Sequence, residues 1–124
     1  MVVNFWASWC APCRAEAKDL NSVFEATKAQ GVQFLGVDIM DDRSRAQAFV
    51  DAFAVPYPSL FDPAGRVALA FQGVNPSAIP TTVIVDRPGQ VAAVFRKRVT
   101  AIELETVLRD VVAEAAAGAV AAGG

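Results

Sequence analysis

The chain has 124 residues, 54% of them hydrophobic, enough for one domain around one buried core and too few for a second. Acidic and basic residues are interspersed and sum to a formal charge of −2, so no basic stripe is available to neutralise phosphates and no nucleic-acid partner is expected. Every apolar run is far shorter than the roughly 18 residues of a membrane span, and none has the basic start and cleavage site of a secretory leader.

Met1 abuts a predicted strand. From this we expect a further N-terminal segment, carrying a leader or an anchor, in the natural protein. Val2 to Trp6 reads as a short buried strand, and Leu20, Val23, Phe24 and Thr27 have the spacing of a helix that Gly31 stops. Val32 to Ile39 is a second apolar, β-branched run. The helix after it turns Ala46, Phe49, Val50 and Phe53 inward. This order predicts a parallel β-α-β unit with a right-handed crossover.

Val55-Pro56-Tyr57-Pro58 breaks the second helix, and Asp62-Pro63-Ala64-Gly65 is a turn before a short helical turn around Val67 to Phe71. Both read as connectors. Thr82 to Asp86 and Val91 to Arg96 are strands separated by only Arg87-Pro88-Gly89-Gln90, too short for a parallel crossover, so an antiparallel hairpin is predicted. Thr100 and Glu103 form a capping box that opens a last helix, with Leu104, Val107, Leu108, Val111 and Val112 on its buried side. The Ala/Gly-rich tail from Ala113 to Gly124 has little apolar area to offset ordering entropy and is expected to fray.

The chemistry concentrates in Trp9-Cys10-Ala11-Pro12-Cys13, which holds both cysteines of the chain. A strand turning into a helix at Cys10 puts its sulfur at a helix N-terminus, where unpaired N–H groups and the helix dipole favour the thiolate, the species that attacks disulfides. Cys10, beside Trp9, is therefore the predicted nucleophile. Cys13 lies three residues on along the same helical face and can resolve a mixed disulfide. A zinc half-site is disfavoured, since the chain has no histidine and no second cysteine pair. A purely structural disulfide is disfavoured because so small a loop restricts the unfolded chain little. No metal and no cofactor is implied.

This β-α-β-α-β-β-α order, with Trp-Cys-Ala-Pro-Cys opening the first helix, resembles the thioredoxin superfamily over nearly the whole chain. Asn4-Phe5-Trp6-Ala7-Ser8-Trp9-Cys10, the insert from Gly36-Val37-Asp38 to Phe61-Asp62, and Ile79-Pro80-Thr81-Thr82 narrow the likeness to the TlpA/ResA-like extracytoplasmic thiol-disulfide oxidoreductases. The resemblance implies a thioredoxin-like α/β fold, a central mixed four-stranded sheet with helices on both faces, in one domain over residues 1–124. It also implies that Pro80 is cis and opposite the cysteine pair, leaving a backbone edge at Ile79 for an extended substrate. On spacing alone, Pro80 merely begins a strand.

Trp6 is most simply core. Trp9 and Pro12 flank the nucleophile and, with Ile79 and Pro80, are the predicted substrate-binding residues. Thioredoxins proper carry an aspartate in the first strand that helps deprotonate the second cysteine, whereas Asn4 stands there in this chain. Lining up the insert with the TlpA/ResA-like pattern brings Asp41 to the place of a glutamate near the cysteines, making it the candidate base, its pKa expected to be raised by desolvation. The competing reading for Asp41 and Asp42 is capping of the second helix. Arg14 could support the thiolate or be a solvated first-turn residue.

The resemblance implies a protein disulfide reductase in the periplasm or on the outer face of the cytoplasmic membrane, with a role such as cytochrome c maturation. It would act as a monomer on cysteine-containing protein substrates, recharged by an upstream thiol-disulfide electron donor. The alternatives are a net disulfide oxidant, a thiol peroxidase, or a redox-inert or metallochaperone module without enzymatic activity.

Overall fold

The computed structural model describes residues 1–71 and 78–123, with side chains as far as Gly118 in the last helix. Five strands form, β1 (Val2–Trp6), β2 (Phe34–Ile39), β3 (Ser59–Asp62), β4 (Thr81–Val85) and β5 (Val91–Phe95), with helices α1 (Ala11–Thr27), α2 (Arg43–Ala52), α3 (Arg66–Leu69) and α4 (Ala101–Gly123). They make one mixed sheet in the order β3-β2-β1-β4-β5. The central β1 is parallel to β2, with Trp6 opposite Asp38, and antiparallel to β4, with Asn4 opposite Thr82. Flanked by strands and covered on both faces, it buries all five residues and so does not alternate in polarity.

The pleat of β1 sorts the helices. Val2 packs with Leu20 and Val23 of α1, Leu104 and Leu108 of α4, Phe34 and Ile84. Trp6 points to the same side and stacks on Phe49 of α2, ring centroids 4.5 Å apart. Val3 and Phe5 point the other way, into Val37, Ile39, Val83 and Ala68 of α3. Helices therefore cover both faces, as expected.

The sheet has five strands rather than the expected four. The missing one is β3, which lies within a stretch read as connector. It is short, pairs only with β2 at the sheet edge, and directly follows Pro56 and Pro58, which suppress a strand signal but are tolerated outside an edge strand. The Pro58 carbonyl even starts the pairing, accepting the Gly36 N–H at 2.9 Å. Gly36 is required at this crossing. A Cβ there would run into the Ser59 hydroxyl and lie 2.9 Å from Trp6 Nε1, the two groups that hydrogen-bond to each other at 2.8 Å.

The hairpin of β4 and β5 is antiparallel, as predicted, with Gly89 at positive φ in its turn. The capping box is also formed. Thr100 Oγ1 accepts the Glu103 N–H at 3.2 Å and Glu103 Oε1 accepts the Thr100 N–H at 3.2 Å. The Ala/Gly-rich tail forms the end of α4, which runs to Gly123, as the high helix propensity of alanine allows. Gly124 lies outside the described residues.

Candidate active site

Cys10 is the N-cap of α1, in an extended conformation, and its sulfur accepts the N–H of Cys13 at 3.3 Å. The helix begins there because Cys10 carries the first intrahelical carbonyl, which accepts from Arg14 N–H at 3.1 Å, while Pro12 sits in the first turn where its missing N–H has no partner to lose. The two cysteines are joined as a disulfide, Cα atoms 5.2 Å apart. Cys10 is 4% exposed and Cys13 3%. This is the oxidised form of the couple.

Of the other predicted site residues, Ile79 is packed against the pair. The Ile79–Pro80 bond is cis, and Ile79 packs against the cluster that holds Cys10, Cys13, Trp6 and Phe49. Trp9 is 56% exposed beside Cys10, its indole held edge-on by a 2.9 Å hydrogen bond from Nε1 to the Met40 carbonyl. Met40, at φ 49°, is itself half exposed, so the rim next to the disulfide is apolar. Pro12 is exposed as well.

Beneath the disulfide lies a titratable group that sequence reasoning passed over. Glu16 is fully buried on the same helical face as Cys13, one turn further along α1. Asn4 Nδ2 donates to its Oε1 at 3.2 Å and to Thr82 Oγ1 at 3.0 Å, and the Val99 N–H donates to Oε2 at 3.4 Å. Burial raises its pKa to about 7, against the pull of those hydrogen bonds and of Arg98. Asn4 and Cys13 also line one narrow internal cavity of about 10 Å³, together with Trp6, Tyr57 and Ser59. That is room for about one water. The readable signal was an acid set into the apolar stripe Cys13, Ala17, Leu20, Val23.

Asp41 is placed otherwise than expected. Its carboxylate accepts the Ser8 N–H and the Ser8 hydroxyl, each at 2.7 Å, and the Asp42 N–H at 2.8 Å. Desolvation pushes its pKa up, but hydrogen bonds from Asp38, Ser8 and Asp42 outweigh it, so the pKa lies below the ordinary value. The expected rise is thus corrected. Helix capping falls to Asp42 alone, the N-cap of α2, whose side chain accepts the Arg45 N–H at 3.3 Å. Asp41 also faces Asp38, which is buried with no N–H or hydroxyl of a neighbour reaching either carboxyl oxygen. Burial first, then the Asp41 carboxylate, raise the Asp38 pKa to about 8. The opposite shifts favour the proton on Asp38 and the charge on Asp41.

A model of the AhpC/TSA family matches residues 1–94. The chain is similar to the thiol-disulfide oxidoreductase ResA of Geobacillus kaustophilus, 28% identical over 109 residues that are 88% of this chain and 61% of the relative. It is similar to the thiol:disulfide interchange protein HelX of Rhodobacter capsulatus, 38% identical over 73% of this chain and 48% of the relative. Among solved structures, a secreted thiol-disulfide isomerase from Corynebacterium glutamicum superposes with a TM-score of 0.84 at 38% identity, covering 90% of this chain and 69% of that one. The chain spans about three fifths of the length of the first curated relatives it matches, 61% for ResA.

Proposed function

Since the chain belongs to the AhpC/TSA family, within the thioredoxin superfamily, we propose that it is a thiol-disulfide oxidoreductase that reduces protein disulfides through the Cys10/Cys13 couple. The observation that carries this reading is the pairing of the two cysteines at the N-cap of α1, with an exposed apolar rim at Trp9 and the Ile79–Pro80 edge alongside. In the reduced form the Cys10 thiolate attacks one sulfur of a substrate disulfide. A Cys10–substrate S–S bond forms, the substrate S–S bond breaks, and one substrate thiolate leaves. Cys13, giving its proton to a base, then attacks the Cys10 sulfur. The Cys10–Cys13 bond re-forms and the second substrate thiolate leaves, two electrons having passed to the substrate. An upstream dithiol reverses the change in the protein.

Glu16 is our candidate for the base that takes the Cys13 proton, because it is buried beside Asn4 with a pKa of about 7. Asp41, with its low pKa and three hydrogen bonds, suits holding the loop before Cys10 better than proton transfer. A place outside the cytoplasm is supported by the Corynebacterium relative, described as secreted. Keeping apocytochrome c cysteines reduced for haem attachment is the role the TlpA/ResA likeness favours. No helix among the described residues is long and apolar enough to cross a membrane.

The test is trapping. Cys13→Ser should accumulate a mixed disulfide with a cysteine-containing substrate, and Cys10→Ser should not. Accumulation in Cys10→Ser instead reverses the assignment, and none in either variant removes the reading. Direction is read from the reduction potential, where a value near the roughly −270 mV of thioredoxin supports reduction and one near the roughly −120 mV of DsbA supports oxidation.

A further inference from the structure

An open cleft of about 410 Å³ lies next to Trp9, between the start of α1 and the length of α2, with Ser8, Trp9, Arg14, Arg45 and Phe49 among its lining residues. Its position is unlike the rest of the surface in charge. The chain as a whole is acidic, with a formal charge of −2, yet this cleft is lined by two guanidinium groups and no carboxylate. Neither arginine belongs to an ion pair among the described residues, where the three pairs are Lys28 with Glu25, Lys97 with Glu103 and Arg109 with Glu105.

The nearby acids are already committed. Asp41 accepts from Ser8 and Asp42, while Asp42 accepts from the Ser44 hydroxyl and the Arg45 N–H on one oxygen and feels the Arg45 charge without forming an ion pair with it, so among the described residues neither guanidinium has a bidentate carboxylate partner. Arg14 is not loose, since its guanidinium lies 5.4 Å from the centroid of the Phe53 ring, a contact that holds its planar fork over α2 while its N–H groups stay available. The Trp9 indole is likewise pinned, by Met40. The cleft thus combines a fixed aromatic wall at Trp9, an apolar floor at Phe49 and two cationic forks, of which Arg14 lies four residues along α1 from Cys10.

We propose that this cleft is a specificity subsite for extended polypeptides that carry acidic side chains close to the cysteine that Cys10 attacks. The occupant follows from charge complementarity. Carboxylates satisfy guanidinium forks in the plane, whereas a lysine-bearing segment would meet two like charges. This rests on the oxidoreductase reading, because it names the substrate class of that same site.

The experiment uses the full chain in its oxidised form and a set of peptides in which serine replaces the target cysteine, so that no exchange chemistry is needed. They differ only in flanking residues, glutamate, glutamine or lysine. Binding is read from the indole N–H resonance of Trp9. The glutamate peptide should bind about fivefold more tightly than the glutamine peptide at low salt, and the lysine peptide most weakly. In Arg14→Gln/Arg45→Gln the glutamate-to-glutamine ratio should fall to about one, and in the native chain about 0.5 M salt should shrink it. Equal affinity for all three, no response of Trp9 to the glutamate peptide, or a ratio that survives the double substitution overturns the proposal. The cysteine forms of the same peptides, offered as mixed disulfides to the reduced protein, read the reaction separately. If none is reduced, the oxidoreductase reading fails while the serine peptides still decide the cleft.

Discussion

Asp41 grips Ser8 with both carboxylate oxygens, one on the N–H and one on the hydroxyl, each at 2.7 Å. The turn after β2 is thereby fastened to the loop that leads into Cys10, and the Trp9 indole makes a second fastening to Met40 of the same turn. Two adjacent residues before Cys10 are held by two adjacent residues of the insert. The loop that leads into Cys10 is thus set by a segment far from it in sequence.

Asp41→Asn can keep only one of those two acceptances, because its amide NH₂ would face the other donor. We expect a loss of about 1 kcal/mol of stability and an exchange rate slower by up to about fivefold, uniformly across about pH 6 to 9. Asp42→Asn should be close to neutral, since asparagine caps almost as well as aspartate. Denaturant midpoints and exchange rates at several pH values check both. A rate loss confined to one limb of the pH profile would instead make Asp41 the proton acceptor.

Glu16→Gln keeps the shape and the hydrogen bond from Asn4 but removes the titrating group. In the native chain the resolving step should quicken through an inflection near pH 7, where the Glu16 carboxyl ionises. The variant should lose that inflection and run about tenfold slower or worse above it. Stopped-flow release of the second substrate thiol is the measurement. An unchanged profile with altered stability alone would reduce Glu16 to a structural group.

Much of this was legible before any coordinates. The cap at Cys10, the box at Thr100 and Glu103 and the hairpin at Gly89 carry local signals because each rests on hydrogen bonds a few residues apart, while the run Val2 to Trp6 is legible because all five of its residues are buried. What stayed hidden depends on distant partners. β3 is a strand only because β2 offers it an edge, and two prolines mask it. Glu16 becomes a proton site only because Asn4, 12 residues back, and Val99, 83 residues on, close around it. The family pattern points instead to Asp41, which the fold binds to Ser8. Asp38 was legible as an acid in an apolar strand, yet its pairing with Asp41 needed the turn at Met40.

Gly36→Ala tests the packing of the sheet edge near the site. The added methyl would meet the Ser59 hydroxyl and the Trp6 indole, breaking their 2.8 Å hydrogen bond or displacing β3. Overpacking of this kind typically costs about 1–3 kcal/mol. Urea midpoints should fall accordingly. Ser59→Gly in the Gly36→Ala background should recover part of the loss, and no recovery would place the strain elsewhere.

The Asp38–Asp41 pair gives stability a pH dependence of defined sign. Asp38 has a pKa of about 8 in the folded chain against an ordinary 3.8, so between those values the folded state holds a proton that the unfolded state has lost. Stability from Asp38 is therefore complete below the unfolded value and drains away as pH rises through about 8. Glu16, raised to about 7 from 4.5, acts in the same direction over a narrower window. Asp41 acts oppositely: its lowered pKa adds stability above 3.8 that is lost as pH falls through the folded value. Stability should thus peak at mildly acid pH and fall toward pH 8, each raised group contributing at most about 1.4 kcal/mol per pH unit. Asp38→Asn stays neutral at every pH and can still donate to Asp41. It should match the native chain below about pH 4, where both states hold the Asp38 proton, and exceed it at about pH 8 by about 1–2 kcal/mol, the slope being reduced because water reaches Asp41. Urea midpoints at the two pH values decide it, and parallel curves for the two proteins would mean that Asp38 carries no buried proton.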